Sequence, residues 1–422
     1  MVIFGKNIFN PYLIMKMKLR IATLLALLLA APVTVSAQRE ATPVDTLALT
    51  PPMGWNSWNQ FEWEVSDSLI REIADAMVAN GMRDAGYRYI IIDDYWVGGR
   101  DTKNRLFPDP ERFPNGMKAL ADYVHGKGLK LGIYSDAAEL TCAGVTGSLG
   151  FEEIDAQTFA DWGIDYLKYD YCHAPTDRTT AFTRYKKMGD ALKKTGRPIV
   201  FAICEWGGRS PWLWARAAGG HLWRTTYDSR DGWYSGDAFL TGIMDIFDTQ
   251  EGLEPYAGPG GWNDPDLLMV GLYGKGKSSS PDARFPGCTD EEYKTHFALW
   301  CMLAAPLIVN NDLRDMSDFT RGLLTNKHLI AVDQDSLGRQ GYTFMRSGDL
   351  QYLRKELKDG VAICVFNRSD KPQTFTFDPV RDGDILYPAM VTNAWTGRVS
   401  KKAAVRGTLP AHGCEVYIYR RK

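Results

Sequence analysis

The 422-residue chain has little of what metal and redox centres need. Its six His are scattered, and it has no Cys-x-x-Cys pair and no His-Glu-x-x-His run. No metal site and no cofactor is therefore expected. The Cys, at 142, 172, 204, 288, 301, 364 and 414, are odd in number, so at least one thiol has no partner within the chain. No Gly-rich phosphate turn opens a βαβ unit, which argues against a dinucleotide-binding fold. A formal net charge of −2 gives no reason to expect nucleic acid or an acidic membrane as partner. Internal repeats, low-complexity stretches and long linkers are absent.

At the N-terminus, Lys16, Lys18 and Arg20 precede the apolar run Ile21 to Ala31, and Val35-Ser36-Ala37 follows. That order reads as a signal peptide over residues 1–37, cleaved before Gln38. The run is too short to span a membrane comfortably. Export to the periplasm or the medium is expected, with no membrane association after cleavage. Aromatics make up 12% of the chain and include 13 Trp. Trp faces stack on sugar rings, so this leans towards carbohydrate, although large packed cores account for such a count equally well.

From about residue 50, short apolar runs alternate with helical patterns. The runs are Met53–Trp55, Tyr89–Asp93, Leu129–Tyr134, Tyr166–Tyr169, Pro198–Cys204, Leu222–Thr226, Gly261–Asp264 and Leu307–Asn310. Continuous apolar runs suit strands buried on both faces. Between them, Leu69, Ile73 and Met77 share a helical face that stops at Asn80-Gly81. Ser210-Pro211 reads as a helix start, and Thr289 with Glu292 as a capping box. Eight such units predict a (β/α)₈ barrel over residues 48–338, the alternative being an open doubly wound sheet. After Leu337-Gly338 the pattern alternates with period two. Lys358-Asp359-Gly360 sits between Leu350–Leu357 and Val361–Phe366 as a hairpin signal. Residues 339–422 are expected to form a small antiparallel β-sandwich, packing against the barrel being its expected role.

Active sites of such barrels lie at the C-terminal ends of the strands. Acids fall there on six successive strands: Asp93 and Asp94, Asp136, Asp170, Glu205, Asp228, then Asp264 and Asp266. Trp55, Trp58, Trp96, Trp206 and Trp262 are expected near the same rim. One Asp at a strand end is usually a cap or turn; the same edge chosen six times is a pocket for hydroxyls. Glycoside hydrolysis needs two carboxyl groups, one ionised and one protonated. Lys168 shares a strand face with Asp170 and is expected to keep it ionised. Asp228, four residues beyond Arg224, is expected to face it with a pKa raised by the like charge.

The segments Met53-Gly54-Trp55-Asn56-Ser57-Trp58, Ile92-Asp93-Asp94, Gly132-Ile133-Tyr134-Ser135-Asp136, Thr141-Cys142-Ala143-Gly144, Tyr166-Leu167-Lys168-Tyr169-Asp170, Cys204-Glu205-Trp206-Gly207, Trp223-Arg224-Thr225-Thr226 with Asp228, and Gly260-Gly261-Trp262-Asn263-Asp264-Pro265-Asp266 closely resemble glycoside hydrolase family 27, which includes the α-galactosidases or melibiases. The resemblance runs in order from about Leu47 to Asp335 and extends to the C-terminal sandwich. It implies a retaining exo-hydrolase acting on terminal α-galactose of an oligosaccharide or glycan. Asp170 then matches the nucleophile and Asp228 the acid/base. Trp58, Asp93, Asp94, Tyr134, Cys142, Lys168, Glu205, Trp206, Gly207, Arg224 and Asp266 match substrate-binding positions. Cys142 and Cys172 match a family disulfide, while Cys204 has no evident partner.

Within that resemblance, Glu205 is expected to accept a bond from a 2-hydroxyl, which favours galactose over its N-acetylamino relative. Asp93 and Asp94 favour a sugar with a 6-hydroxymethyl group over β-L-arabinopyranose. The alternatives are a β-L-arabinopyranosidase or another α-glycosidase of the same fold and, from another class, a non-catalytic sugar-binding protein. The last would show by loss of Asp170 or Asp228, and both are present. The oligomeric state, and whether Lys275–Arg284 shapes the aglycone side or a contact between copies, stay open.

Overall fold

A computed structural model describes residues 46–236, 239, 241–278, 285–386 and 389–421. The expected signal peptide, and residues 279–284 of the loop starting at Lys275, lie outside them. The barrel strands are β1 (Met53–Asn56), β2 (Tyr89–Ile91), β3 (Lys130–Asp136), β4 (Tyr166–Asp170), β5 (Val200–Cys204), β6 (Leu222–Arg224), β7 (Trp262–Asp264) and β8 (Leu307–Val309). All neighbours pair in parallel, in the order β8-β1-β2-β3-β4-β5-β6-β7. Between β7 and β8, Leu268 bridges Val309 and donates its N–H to the Ile308 carbonyl (2.8 Å).

Side chains alternate across each strand, and the alternation sorts the sequence into two populations. Outward-facing Trp55, Ile90, Leu131, Leu167, Phe201, Trp223 and Leu307 join the core shared with the surrounding helices. Inward-facing Tyr89, Ile91, Tyr166, Val200, Ala202, Leu222, Trp262 and Ile308 form a second cluster. The inner ring is crowded. A Cβ on Gly132 would come within 2.9 Å of the Ile91 Cγ1 and 3.1 Å of the Tyr166 Cβ, so only Gly fits beside that tyrosine.

The helix Asp67–Ala79 turns Leu69, Ile73 and Met77 into the core and ends at Asn80, with Gly81 left-handed. The helix Asp290–Leu303 carries the capping box, Thr289 Oγ1 accepting from Glu292 N–H and Glu292 from Thr289 N–H. One expected helix start is corrected. Ser210 has φ 54° and makes no side-chain cap, and the segment is a single 3₁₀ turn, Pro211–Leu213. The chain is back in β6 by Leu222, and Gly219-Gly220 ends the turns that follow.

The C-terminal part is a six-stranded antiparallel sheet with a two-stranded partner, Gln373–Phe377 with Val405–Leu409. The strands Leu350–Leu357 and Gly360–Asn367 form the expected hairpin. Every residue of the second is buried because both its faces are covered. Val361, Ile363 and Val365 pack between the sheets. Ala362, Cys364 and Phe366 join the barrel core. This explains why the helix Asp290–Leu303 is buried almost all round. Polar groups cross the junction too. His412 stacks on Trp233 (4.5 Å) and its Nδ1 meets Glu292 Oε1 at 2.7 Å.

Lys355, fully buried, donates from Nζ to the Cys301 carbonyl (3.1 Å). Burial lowers its pKa to about 8 and raises that of buried Asp333, whose charge it matches, also to about 8. The two are not in direct contact, but each favours the other's charged form, so removing one makes the other costlier to charge. Lys355→Ala is expected to destabilise the fold by about 3 kcal/mol, read as a lowered midpoint in chemical denaturation. The double variant Lys355→Met with Asp333→Leu is expected to recover most of the loss. An unchanged midpoint in the single variant would show that the pair contributes nothing.

Candidate active site

The parity that fills the barrel also aims its chemistry. Continuing the inner phase past the apolar layer gives Asn56 on β1, Asp93 beyond β2, Tyr134 and Asp136 on β3, Lys168 and Asp170 on β4, Cys204 on β5 and Arg224 on β6. The parallel register puts Asp136, Asp170 and Cys204 level with one another. Above them opens a cleft of about 530 Å³ walled by Trp58, Asp93, Asp94, Tyr134, Cys142, Trp206 and Asp266, with Asp170 and Asp228 both exposed to it.

Two cations organise the acids. Lys168 Nζ donates to Asp93 Oδ2 (2.7 Å), which also accepts from Asn56 Nδ2 (2.6 Å). Arg224 reaches Asp228 Oδ1 with Nη2 and Asp266 Oδ1 with Nη1, both at 3.0 Å. Asp266 has φ 84°, and its Oδ2 accepts from the N–H and Oγ of Ser229 (2.7 and 2.9 Å). Asp94 is held by the N–H groups of Tyr95 and Ala143 (2.6 and 2.8 Å). Asp170 accepts from the Tyr134 hydroxyl (3.0 Å) and the Tyr171 N–H (2.9 Å). A disulfide joins Cys142 to Cys172 (Cα–Cα 5.2 Å), tying the loop after β3 to the loop after β4 beside Asp170. The carboxylate oxygens of Asp136 and Asp170 and the two sulfurs lie within 4.8 Å of one another.

The electrostatics correct the sequence-based expectation. Burial raises the Asp170 carboxyl to about 6, against the pull of Lys168. For Asp228, burial opposes ionisation, but Arg224 and Lys168 outweigh it and hold the carboxyl below its ordinary value. The acid expected to be charged is thus the weaker one, and the acid expected to be protonated is the stronger. Asp170 is enclosed, 4% exposed, whereas the Asp228 side chain is 51% exposed and in direct contact with a guanidinium. Asp136 is raised further, to about 9, by burial and then by Asp170. It is therefore neutral at pH 7. Its Oδ2 accepts from the Cys172 N–H (3.0 Å) and its Oδ1 has no hydrogen-bond partner among the described residues.

Two further expectations are corrected. Glu205 does not face the cleft. It is fully buried, and Arg209 closes it off through Nη1 (3.0 Å) and its backbone N–H. Gly207 serves packing, because at φ 76° a Cβ would stand 2.1 Å from the Thr225 carbonyl. Among the expected rim aromatics, Trp58 and Trp206 line the cleft. Trp55, Trp96 and Trp262 are fully buried and donate to the carbonyls of Asn311, Tyr134 and Ala48. Their positions in the alternation or in the loops point them into packed interior. The sequence reading assigned no role to Asn56, Asn59, Arg230 or Leu267, all of which the structure brings to the site. Parity was the available signal for Asn56. Cys204 is an unpaired buried thiol 3.6 Å from Arg224 Nη1.

Comparison with known proteins places this geometry. A family model for alpha galactosidase A matches residues 50–335, and one for the alpha galactosidase C-terminal beta sandwich domain matches residues 347–419. Alpha-galactosidase A of Cellvibrio japonicus is 45% identical over 410 residues, which cover 93% of this chain and 97% of that protein. The crystal structure of alpha-galactosidase I from Mortierella vinacea superposes with a TM-score of 0.83 at 34% identity, over 90% of this chain and 99% of that one. The Saccharomyces cerevisiae enzyme with raffinose gives a TM-score of 0.81 at 28% identity, over 90% of this chain and 99% of that one. The chain belongs to the α-galactosidase, or melibiase, family of glycoside hydrolases, family 27.

Proposed function

We propose that this α-galactosidase cleaves terminal α-galactose by double displacement, with Asp170 as nucleophile and Asp228 as acid/base. The observation that supports it is the approach of these two carboxyl groups to one cleft, from strands on either side of β5, each influencing the other's proton. In the first step an Asp170 oxygen attacks the anomeric carbon while Asp228 gives its proton to the departing glycosidic oxygen. The product is a β-galactosyl ester on Asp170. The negative charge of Asp170 is then gone, which lowers the proton affinity of Asp228. Asp228 is thereby suited to take a proton from the water that attacks the ester, and α-galactose leaves.

The surrounding groups divide the recognition. Trp58 offers a face for the sugar ring. Asp93, Asp94 and Lys168 serve the outer hydroxyls, and Arg224 with Asp266 the opposite side. With Glu205 closed off by Arg209, discrimination at the 2-position falls to other groups. Raffinose, found on the yeast relative, is a reasonable first substrate. The N-terminal pattern and the Cys142–Cys172 disulfide support export, where such a bond persists.

Asp170→Asn is expected to lower kcat by about 10⁴-fold or more. Asp228→Ala is expected to lose about 10²–10⁴-fold on raffinose but far less on α-galactosyl fluoride, whose leaving group needs no proton. Galactose released by the wild type should appear first as the α-anomer in NMR, and first release of the β-anomer refutes the mechanism.

The pH dependence follows from the free enzyme. The productive state has one proton in the Asp170–Asp228 pair, placed on Asp228. Most of that single proton resides on Asp170, so the productive arrangement is a minor share that does not vary with pH while one proton is bound. The pair loses this proton as pH rises through about 6. kcat/KM is therefore expected to fall about tenfold per pH unit above roughly 6, giving an acidic optimum. A plateau extending to pH 8 would contradict the assignment.

Protein recovered from the periplasm or medium is expected to begin at Gln38 by mass spectrometry. Recovery with residues 1–37 intact, in the cytoplasm, would overturn the export reading.

A further inference from the structure

The second layer of the C-terminal sandwich has two strands against six in the first, and it leaves part of the inner face uncovered. Val391 lies opposite Tyr419, and both join the core between the layers. Two residues further along, Asn393 lies opposite Tyr417, and this pair floors an open groove of about 890 Å³. Thr396 and Ser400 add hydroxyls, and Arg398, Lys402 and Arg406 stand along it. No residue lines both this groove and the catalytic cleft. Residues 389–422 hold seven Lys and Arg against one acid, Glu415, in a chain whose formal net charge is −2. That acid accepts from Asn393 Nδ2 (2.5 Å) and does not line the groove. Four other arginines of the domain, Arg346, Arg354, Arg368 and Arg381, each hold a carboxylate. Arg398, Lys402 and Arg406 are exposed and, among the described residues, pair with none.

We propose that this groove binds a stretch of acidic polysaccharide, with uronate carboxylates on the Arg398 and Arg406 guanidiniums, and so holds the enzyme on a polymer that carries galactosyl branches. Three cations without a facing acid call for an anionic occupant. A guanidinium meets a carboxylate through two parallel N–H···O bonds, which favours this anion for two arginines. Between the cations, the Asn393 amide and the Thr396, Ser400 and Tyr417 hydroxyls match the hydroxyls of a sugar chain. Single-stranded nucleic acid needs successive aromatic faces for its bases, and Tyr417 is the one ring in the lining. A peptide needs apolar pockets for its anchors, and the apolar lining is limited to Val and Ala. An open groove of this size suits a chain better than a single small anion.

The test titrates the whole enzyme with sodium polygalacturonate at low salt, followed by calorimetry. The wild type is expected to bind, and to bind more weakly as salt rises. The double variant Arg398→Ala with Arg406→Ala is expected to lose affinity about tenfold or more. Its turnover of a nitrophenyl α-galactoside is expected to stay within about twofold of wild type, which reports that it is folded. Fully methyl-esterified polygalacturonate, the same chain without its charge, is expected not to bind. Absence of binding by the wild type, or unchanged affinity in the double variant, overturns the groove as the site. Equal binding of the methyl ester overturns its ionic basis. Double-stranded DNA bound as tightly as polygalacturonate overturns the choice of a sugar chain.

Discussion

Everything at the barrel mouth depends on two cations, a half-buried lysine and a buried arginine. Asp93, Asp170, Asp228 and Asp266 converge on one cleft, and burying several carboxylates there without compensation would drive protons onto most of them. Lys168 and Arg224 prevent this. Burial opposes the charge of each, but Asp93 in one case and Asp266 in the other head the attractions that outweigh it, so both stay protonated. Each cation also serves two kinds of acid at once. Lys168 binds Asp93 and stands near Asp170, while Arg224 binds Asp266 and Asp228. Recognition and chemistry are therefore coupled through shared counter-ions. A hydroxyl that competes for Arg224 or Lys168 changes the proton affinity of Asp228 or Asp170.

That coupling bears on which of the two acids holds a shared proton in the free enzyme. In the empty cleft Asp228 is in contact with Arg224 and ionises readily, whereas Asp170 is enclosed and holds its proton more tightly. A bound sugar that takes up donors from Arg224 and shields Asp228 from water would raise the proton affinity of Asp228 and move the proton where the proposed first step requires it. Asp136 stands behind this exchange as a neutral acid. Kept protonated by burial and by its neighbour, it adds no second negative charge beside Asp170.

The fold was legible because two periodicities carry it. Continuous apolar runs such as Tyr166–Leu167 and Val200–Ile203 announce strands covered on both faces, and the alternating runs after residue 340 announce an antiparallel sheet. The site was legible as far as strand parity reaches: Lys168, Asp170 and Arg224 follow from the positions of Tyr166 and Leu222. It was not legible where the chain leaves the strands. Glu205 sits just beyond β5, and nothing local says that Arg209 curls back four residues later to close it off. Trp96 and Trp262 read as rim aromatics by position alone, although each indole N–H found a backbone carbonyl. The sign of the Asp170–Asp228 asymmetry depends on which carboxyl the Arg224 guanidinium contacts directly, a property of the assembled mouth and not of its strands.

The loops at that mouth are held in conformations that ordinary packing does not select. Non-glycine residues take positive φ just beyond several strands: Tyr95 after Asp94, His173 after Cys172, Trp206 after Glu205, and Asp266 two residues past β7. Each such residue costs on the order of 1–3 kcal/mol and persists only where its surroundings over-determine it. Here the surroundings are identifiable. Asp94 accepts from the Tyr95 N–H, the disulfide anchors the loop at Cys172, Tyr227 stacks on Trp206, and Asp264 Oδ1 accepts from the Asp266 N–H. The sharp turns let consecutive residues serve opposite duties. Asp94 lines the cleft while the Tyr95 ring packs under the Arg112 guanidinium, and Glu205 is buried while Trp206 forms the wall. Strain at the strand ends is thus the local consequence of fitting a pocket of polar groups onto a barrel whose interior, one layer below, is filled with tyrosine and aliphatic side chains.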